Sequence, residues 1–181
     1  AKSVAEVFDR DPQVEGLVLL QHGIFTVGDT AQQAYGRMIE FVTLAEERLG
    51  RRRKTIVQAA LPAAIATVPQ IAPVLRGALA IEKNAAAGTA RRQILDFRSN
   101  PAILAYVNGA ELGRYSQVGV VTPDHTIRTK NWPLVVPAPV AGRLDAWASE
   151  VKDAVAAFVA RYHRYFAVNN DKSPIRKKEL D

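Results

Sequence analysis

The three histidines of the chain, His22, His125 and His163, are its only imidazoles, and no cysteine accompanies them. Without thiols there is no disulfide framework, no thiolate nucleophile and no Cys-based zinc site. Neither an HxH nor an HxxxH pair occurs, whereas a catalytic zinc normally takes three protein ligands. His22 lies between two apolar runs and is followed directly by Gly23. A glycine there lets a backbone or a substrate approach closely. Such a histidine is either a satisfied core residue or one metal ligand whose companions come from elsewhere, and its side chain is expected to point from a buried hairpin into a cleft. His163, beside Arg161 and Arg164, reads as a surface residue.

A second cluster is Thr122-Pro123-Asp124-His125-Thr126-Ile127-Arg128-Thr129-Lys130. An Asp next to a His can orient the ring for proton exchange near neutral pH. Pro123 fixes one backbone angle and restrains Thr122, which suits a turn that holds two side chains still. Thr126 to Thr129 reads as a strand. On it Arg128 and Lys130 share a face and could reach one phosphate or carboxylate. Asp124 and His125 are thus candidate catalytic residues, and Arg128 and Lys130 candidate substrate-binding residues. The other reading is an exposed turn followed by an edge strand guarded by charge. No GxxxxGK[ST] phosphate loop, GxSxG elbow or GxGxxG fingerprint is present, so no dinucleotide fold is expected within these residues.

Local signals place these groups on elements. Residues 3–10 suit a short helix, stopped by Asp11-Pro12. Val14 to Leu20 is a nearly continuous apolar run, as in a strand buried on both faces, and Ile24 to Val27 resumes strand composition after Gln21-His22-Gly23. Thr30 with Gln33 fits a capping box. Ala34, Met38, Phe41, Ala45 and Leu49 then recur at helical spacing up to Gly50. Arg51 to Lys54 reads as a helix end and solvated hinge, with nucleic-acid contact as the rival. Residues 55–87 suggest two short helices with Pro62 and Pro69 near their starts, and Ala85 to Gly88 a helix end or loop. Arg91 to Phe97 suggests an edge strand. Asn100 caps a helix opening at Pro101 and ending at Asn108-Gly109. Val118 to Val136 reads as strand and loop. Leu144, Trp147, Val151, Val155, Phe158, Tyr162 and Phe166 form an apolar stripe on a last helix, and the tail from Asn169 is expected to be mobile.

Composition bounds the class. Hydrophobic residues make up 48% and charged residues 23% of 181 residues, as in globular domains. The longest apolar stretch, Ile56 to Ile81, is broken by Pro62, Pro69, Pro73 and Arg76, so no membrane span is expected. Charge is uneven: residues 1–50 carry 4 basic and 8 acidic side chains, and residues 51–181 carry 20 and 10. A basic half can face anionic substrates, an acidic partner or nucleic acid. The lack of cysteine agrees with a reducing, cytoplasmic setting. The chain opens at Ala1 and its one methionine is Met38, which suggests a piece of something longer.

Leu17-Val-Leu-Leu-Gln-His22-Gly23-Ile-Phe-Thr-Val-Gly28-Asp29-Thr30, with Ala34-Tyr35 and Ala45-Glu46-Glu47 beyond, resembles the C-terminal part of the class II aldolase/adducin domain. The resemblance implies that His22 is the last of three histidine zinc ligands, the other two and a catalytic Glu lying upstream. Thr122-Pro-Asp-His-Thr-Ile-Arg-Thr-Lys130 with Trp132-Pro133-Leu134 looks like the connector of bifunctional proteins of the rhamnulose-1-phosphate aldolase/short-chain dehydrogenase type.

The fold class expected is therefore α/β: the end of an aldolase-type mixed sheet with flanking helices, an accessory α/β lobe and a long C-terminal helix. Residues 1–50 would end the aldolase domain, 51–90 form an alanine- and proline-rich helical segment, 91–140 a small α/β lobe, 141–168 the long helix, and 169–181 a linker toward a dehydrogenase domain. The resemblance implies a parent that cleaves a ketose phosphate with zinc and acts on the aldehyde with NAD(P) bound only in the dehydrogenase domain. The zinc site would be incomplete in this chain, which alone would be inactive. A sugar phosphate, the missing domains and further copies of the chain are the expected partners; a membrane and nucleic acid are not. A non-catalytic adducin-like interaction module is the alternative.

Overall fold

A computed structural model describes residues 2–51, 55–84 and 88–179. In chain order these form α1 (Lys2–Arg10), β1 (Gly16–Leu19), β2 (Gly23–Thr26), α2 (Ala31–Gly50), α3 (Val68–Ala78), β3 (Ile81–Asn84), β4 (Thr89–Arg91), α4 (Pro101–Val107), α5 (Leu112–Tyr115), α6 (Pro123–Arg128) and α7 (Leu144–Asp171). Mixed α/β architecture is as expected. The chain divides into two compact units, one of Ala1–Val57 with Arg114–Pro133, the other of Gln58–Gly113 with Leu134–Asp181.

In the first unit, β1 and β2 pair antiparallel, with Leu17 opposite Phe25 and Leu19 opposite Gly23, and α2 packs on β2. Thr30 caps α2 by accepting the Gln33 N–H at 3.1 Å. The Gln33 amide oxygen in turn accepts the Asp29 N–H at 2.7 Å, one residue short of the standard reciprocal pair. The expectation that the first strand is buried on both faces fails: Val18 is 75% and Leu20 89% exposed. Among the described residues this sheet has two strands, and one helix cannot cover both of its faces. Strands of four residues are about 13 Å long at roughly 3.3 Å per residue. A helix of 20 residues runs to about 30 Å. Ala34, Met38 and Phe41 are accordingly half-covered, while Ala45 and Leu49 at the far end of the stripe are exposed.

In the second unit, α3 packs against α7. Pro69 sits in the first turn of α3, where a missing N–H costs nothing, and the Gln70 side chain accepts the Thr67 N–H at 2.8 Å. Pro62 starts no helix. The backbone around it is drawn into isolated bridges instead, Gln58 with Gly109 and Ile65 with Val140, with Ala59 N–H donating to Asn108 at 2.8 Å and Ala66 N–H to Pro139 at 2.8 Å. Tertiary pairing here overrides the helix propensity of alanine. The strand expected over Arg91 to Phe97 is displaced: β3 and β4 pair antiparallel from Ile81 opposite Arg91, and residues 92–100 have no regular structure. Ala85 to Ala87, and Arg52 to Lys54 of the basic run, lie outside the described residues.

Asn100 caps α4 through its side-chain oxygen, which accepts the Ile103 N–H at 2.8 Å. Asn100→Ala is expected to cost about 1 kcal/mol, read as a lower urea midpoint at unchanged slope. The stripe on α7 faces inward: Trp147 is 3% and Val151 0% exposed, with Ala66 also buried, and Val155, Phe158, Tyr162 and Phe166 are half-buried. The helix runs on to Asp171, past the expected end at Phe166. No helix among the described residues is long and apolar enough to cross a membrane.

Candidate functional site

His22 occupies the turn that joins β1 to β2. The turn is held by its own N–H, which donates to Leu19 at 3.0 Å. Gln21 takes φ 59° and Gly23 φ 141°, angles that side chains with a Cβ resist and that glycine adopts freely. The ring is exposed. The expectation of a buried hairpin with His22 aimed into a cleft is therefore corrected: the imidazole is displayed at a hairpin tip, because the loop residues Leu20 to His22 project beyond the four paired positions of each strand.

Several contacts set that hairpin on α2, among them the Thr26 hydroxyl, which donates to the Ala34 carbonyl at 2.7 Å. Gly16 lies so close to the helix that an added Cβ would stand 2.6 Å from Phe41 Cε2 and 2.8 Å from the Phe25 carbonyl oxygen. Gly16→Ala is expected to destabilise by about 1–3 kcal/mol through overpacking, measurable by chemical denaturation. Arg37, at 24% side-chain exposure, donates to the Val27 carbonyl and to Glu15 Oε1 at 2.9 Å. It thereby ties α2 to the residues that flank both strands. Sequence reasoning overlooked Arg37; its place one residue from Met38 on the covered face of α2 was the available signal.

The Thr122 to Lys130 segment is not a strand. Thr122 is extended (φ −131°, ψ 153°) before α6, which opens on Pro123. Proline at the first helical position has its φ preset, and Asp124 in the first turn suits the helix dipole. Arg128 Nε donates to both Asp124 carboxylate oxygens, at 2.9 and 2.8 Å, one helical turn apart. The His125 Nδ1 is 3.1 Å from the Thr122 hydroxyl, which fixes the ring, and Thr129 closes the helix by donating its N–H to the His125 carbonyl at 2.8 Å. Arg128 and Lys130 thus do not share a strand face: Arg128 is engaged with Asp124 and Lys130 lies beyond the helix end. Asp124, His125 and Arg128 are exposed. The hairpin of His22 and α6 belong to the same compact unit.

His163 is exposed on α7, as expected, with Nδ1 2.8 Å from Glu179 Oε1. Among the described residues no group of three or more His, Cys, Asp or Glu side chains converges to hold a metal ion. The described residues therefore do not by themselves complete a zinc site: His22 offers one imidazole, and the remaining donors would have to come from elsewhere.

Residues 1–49 match the family Class II Aldolase and Adducin N-terminal domain. Residues 66–181 match Aldolase class II, second domain. Among curated proteins, the one named Uncharacterized oxidoreductase YuxG, from Bacillus subtilis (strain 168), is 27% identical over 181 residues, covering 93% of this chain and 25% of its own. The chain thus spans about a quarter of that relative, 25% of its length. No solved structure matches.

Proposed function

The chain belongs to the class II aldolase family, and from that premise we propose that it is part of a longer enzyme with two activities, a sugar-phosphate aldolase and a short-chain dehydrogenase. The first would cleave a ketose phosphate by retro-aldol chemistry, and the second would act on the aldehyde with NAD(P). One observation carries this reading. This chain matches aldolase-family domains over most of its length yet covers 25% of a relative named as an oxidoreductase, and in this reading the redox chemistry of that name lies in the remainder.

The contribution of this chain to a zinc site would be the single imidazole of His22, displayed at the hairpin tip, with the other donors supplied from outside the chain. Exposed apolar residues on the β1–β2 hairpin, Val18, Leu20 and Phe25, would be covered by the rest of the aldolase sheet. Asp124 and His125 would serve the same cleft. Thr122 orients the ring, which is then placed to exchange a proton with a substrate hydroxyl. Arg128 and Lys130 would supply charge for the phosphate. The Asp124–Arg128 pair is exposed at 63% and 74%, and such pairs hold little energy, so a phosphate can draw Arg128 away. The enzyme would be a cytoplasmic homo-oligomer.

The test uses the full-length protein that contains this chain. Ketose 1-phosphates are supplied with NAD+ or NADP+, and triose-phosphate release and nicotinamide reduction are measured separately. Cleavage followed by nicotinamide-dependent turnover of the aldehyde is the expected result. Absence of cleavage with every ketose phosphate would favour a non-catalytic, adducin-like module.

A further inference from the structure

We propose that residues 172–179 form a clasp on the last turns of α7, built on Asn170 and closed by the His163–Glu179 pair, which fixes where the chain leaves that helix. The first support is reach. From His163 to Asp171 the helix advances about 12 Å at roughly 1.5 Å per residue. The eight residues 172–179 could extend about 25 Å away from it. Yet Glu179 lies level with His163, its Oε1 2.8 Å from Nδ1, so the segment doubles back along the helix it has just left.

Asn170 is the hub. Its Nδ2 donates to the Lys177 carbonyl at 3.1 Å, and its Oδ1 accepts the Lys177 N–H at 2.8 Å. The amide thus pairs with both polar groups of one residue, as a neighbouring strand would, and this fixes orientation as well as distance. The Asn170 carbonyl, one of the four at a helix end that lack an intrahelical donor, accepts from the Ser173 N–H at 3.2 Å and from Arg176 Nη1 at 3.0 Å. Arg176 also pairs with Asp171, whose carboxylate would otherwise sit unfavourably at the negative end of the helix dipole. Ser173 Oγ braces the turn, donating to the Ile175 carbonyl at 2.8 Å. Glu179 then adds the outermost contact, the carboxylate accepting from the imidazole N–H.

The clasp stands against the expectation of a mobile tail over residues 169–181. Asn169 to Asp171 are helical, and the segment beyond them is bound at successive points rather than free. In the longer enzyme proposed above, a domain attached after this segment would be held near the end of α7 instead of swinging on a slack connector. That consequence rests on the two-activity reading; the clasp itself does not.

The experiment measures amide hydrogen exchange at Lys177 in the full-length protein, for wild type, Asn170→Ala and Asn170→Asp. Wild-type Lys177 is expected to exchange about tenfold or more slower than an unstructured amide. Asn170→Ala should return it to the unstructured rate while α7 persists, since alanine favours helix. Asn170→Asp keeps the acceptor for the Lys177 N–H but sets an oxygen against the Lys177 carbonyl, so Lys177 should exchange at a rate between those of wild type and Asn170→Ala. Exchange at the unstructured rate in wild type, or a Lys177 rate indifferent to Asn170→Ala, would overturn the clasp. Because the readout is independent of either enzymatic assay, loss of the two-activity reading leaves this result interpretable, and the reverse also holds.

Discussion

Replacing Trp147 with alanine is expected to lower the unfolding free energy by about 3–5 kcal/mol. That is a large share of the roughly 5–15 kcal/mol that stabilises an ordinary domain. Trp147 is 3% exposed and sits in the first turn of α7, whose fully buried Val151 is its neighbour one turn on. Its Nε1 donates to the Pro137 carbonyl at 2.8 Å. This bond holds the segment before α7, whose residues 139–141 bridge to residues 64–66 just ahead of α3. Truncation therefore removes a large apolar side chain and orphans a carbonyl together. Trp147→Phe separates the two effects: most of the apolar area stays, and the lost hydrogen bond alone costs about 1 kcal/mol. Urea unfolding monitored by far-UV circular dichroism reads both. If Trp147→Ala left the midpoint in place, the inward stripe of α7 would not be the core of the second unit.

Under the proposed role of His22 as a metal ligand, His22→Ala in the full-length protein is expected to reduce aldol cleavage about a hundredfold or more, the scale of several kcal/mol of metal-assisted charge stabilisation. Nicotinamide-dependent turnover of the free aldehyde should stay within about twofold of wild type, because the proposal places it in another domain. The exposed position of His22 makes the split informative. An exposed loop substitution away from the core changes stability by about 0.5 kcal/mol or less, so lost cleavage could not be blamed on unfolding. Gln21 and Gly23 hold the turn with or without the ring. Cleavage that survives His22→Ala would remove His22 from the site, and parallel loss of both activities would point to a structural role.

The cluster around His125 marks where sequence reasoning went astray. Thr126, Ile127 and Thr129 are β-branched and suggested a strand, whereas Thr122-Pro123-Asp124 is itself a helix opening, with proline at the first position and an acid in the first turn. The Asp124–Arg128 spacing of four, which pairs side chains only on a helix, was the second available signal. Either would have shown that Arg128 meets Asp124 and not Lys130.

Features that neighbours within one or two turns decide are legible in the amino-acid order. Thr30 and Gln33 open α2, Asn100 and Pro101 open α4, and the three-and-four spacing from Leu144 to Phe166 marks the buried side of α7. Caps and periodicity act over a few residues, so they can be read before the chain is folded. Tertiary structure alone decided the rest. The bridges of Gln58 to Gly109 and Ile65 to Val140 join residues far apart in the chain, and such pairing leaves no local trace. The exposure of His22 is of the same kind. A run such as Val14 to Leu20 shows that a strand has apolar side chains to bury, but whether they are buried depends on what packs against each face. In this chain α2 packs on the hairpin through β2, Val18 and Leu20 stay uncovered, and His22 is left displayed at the tip.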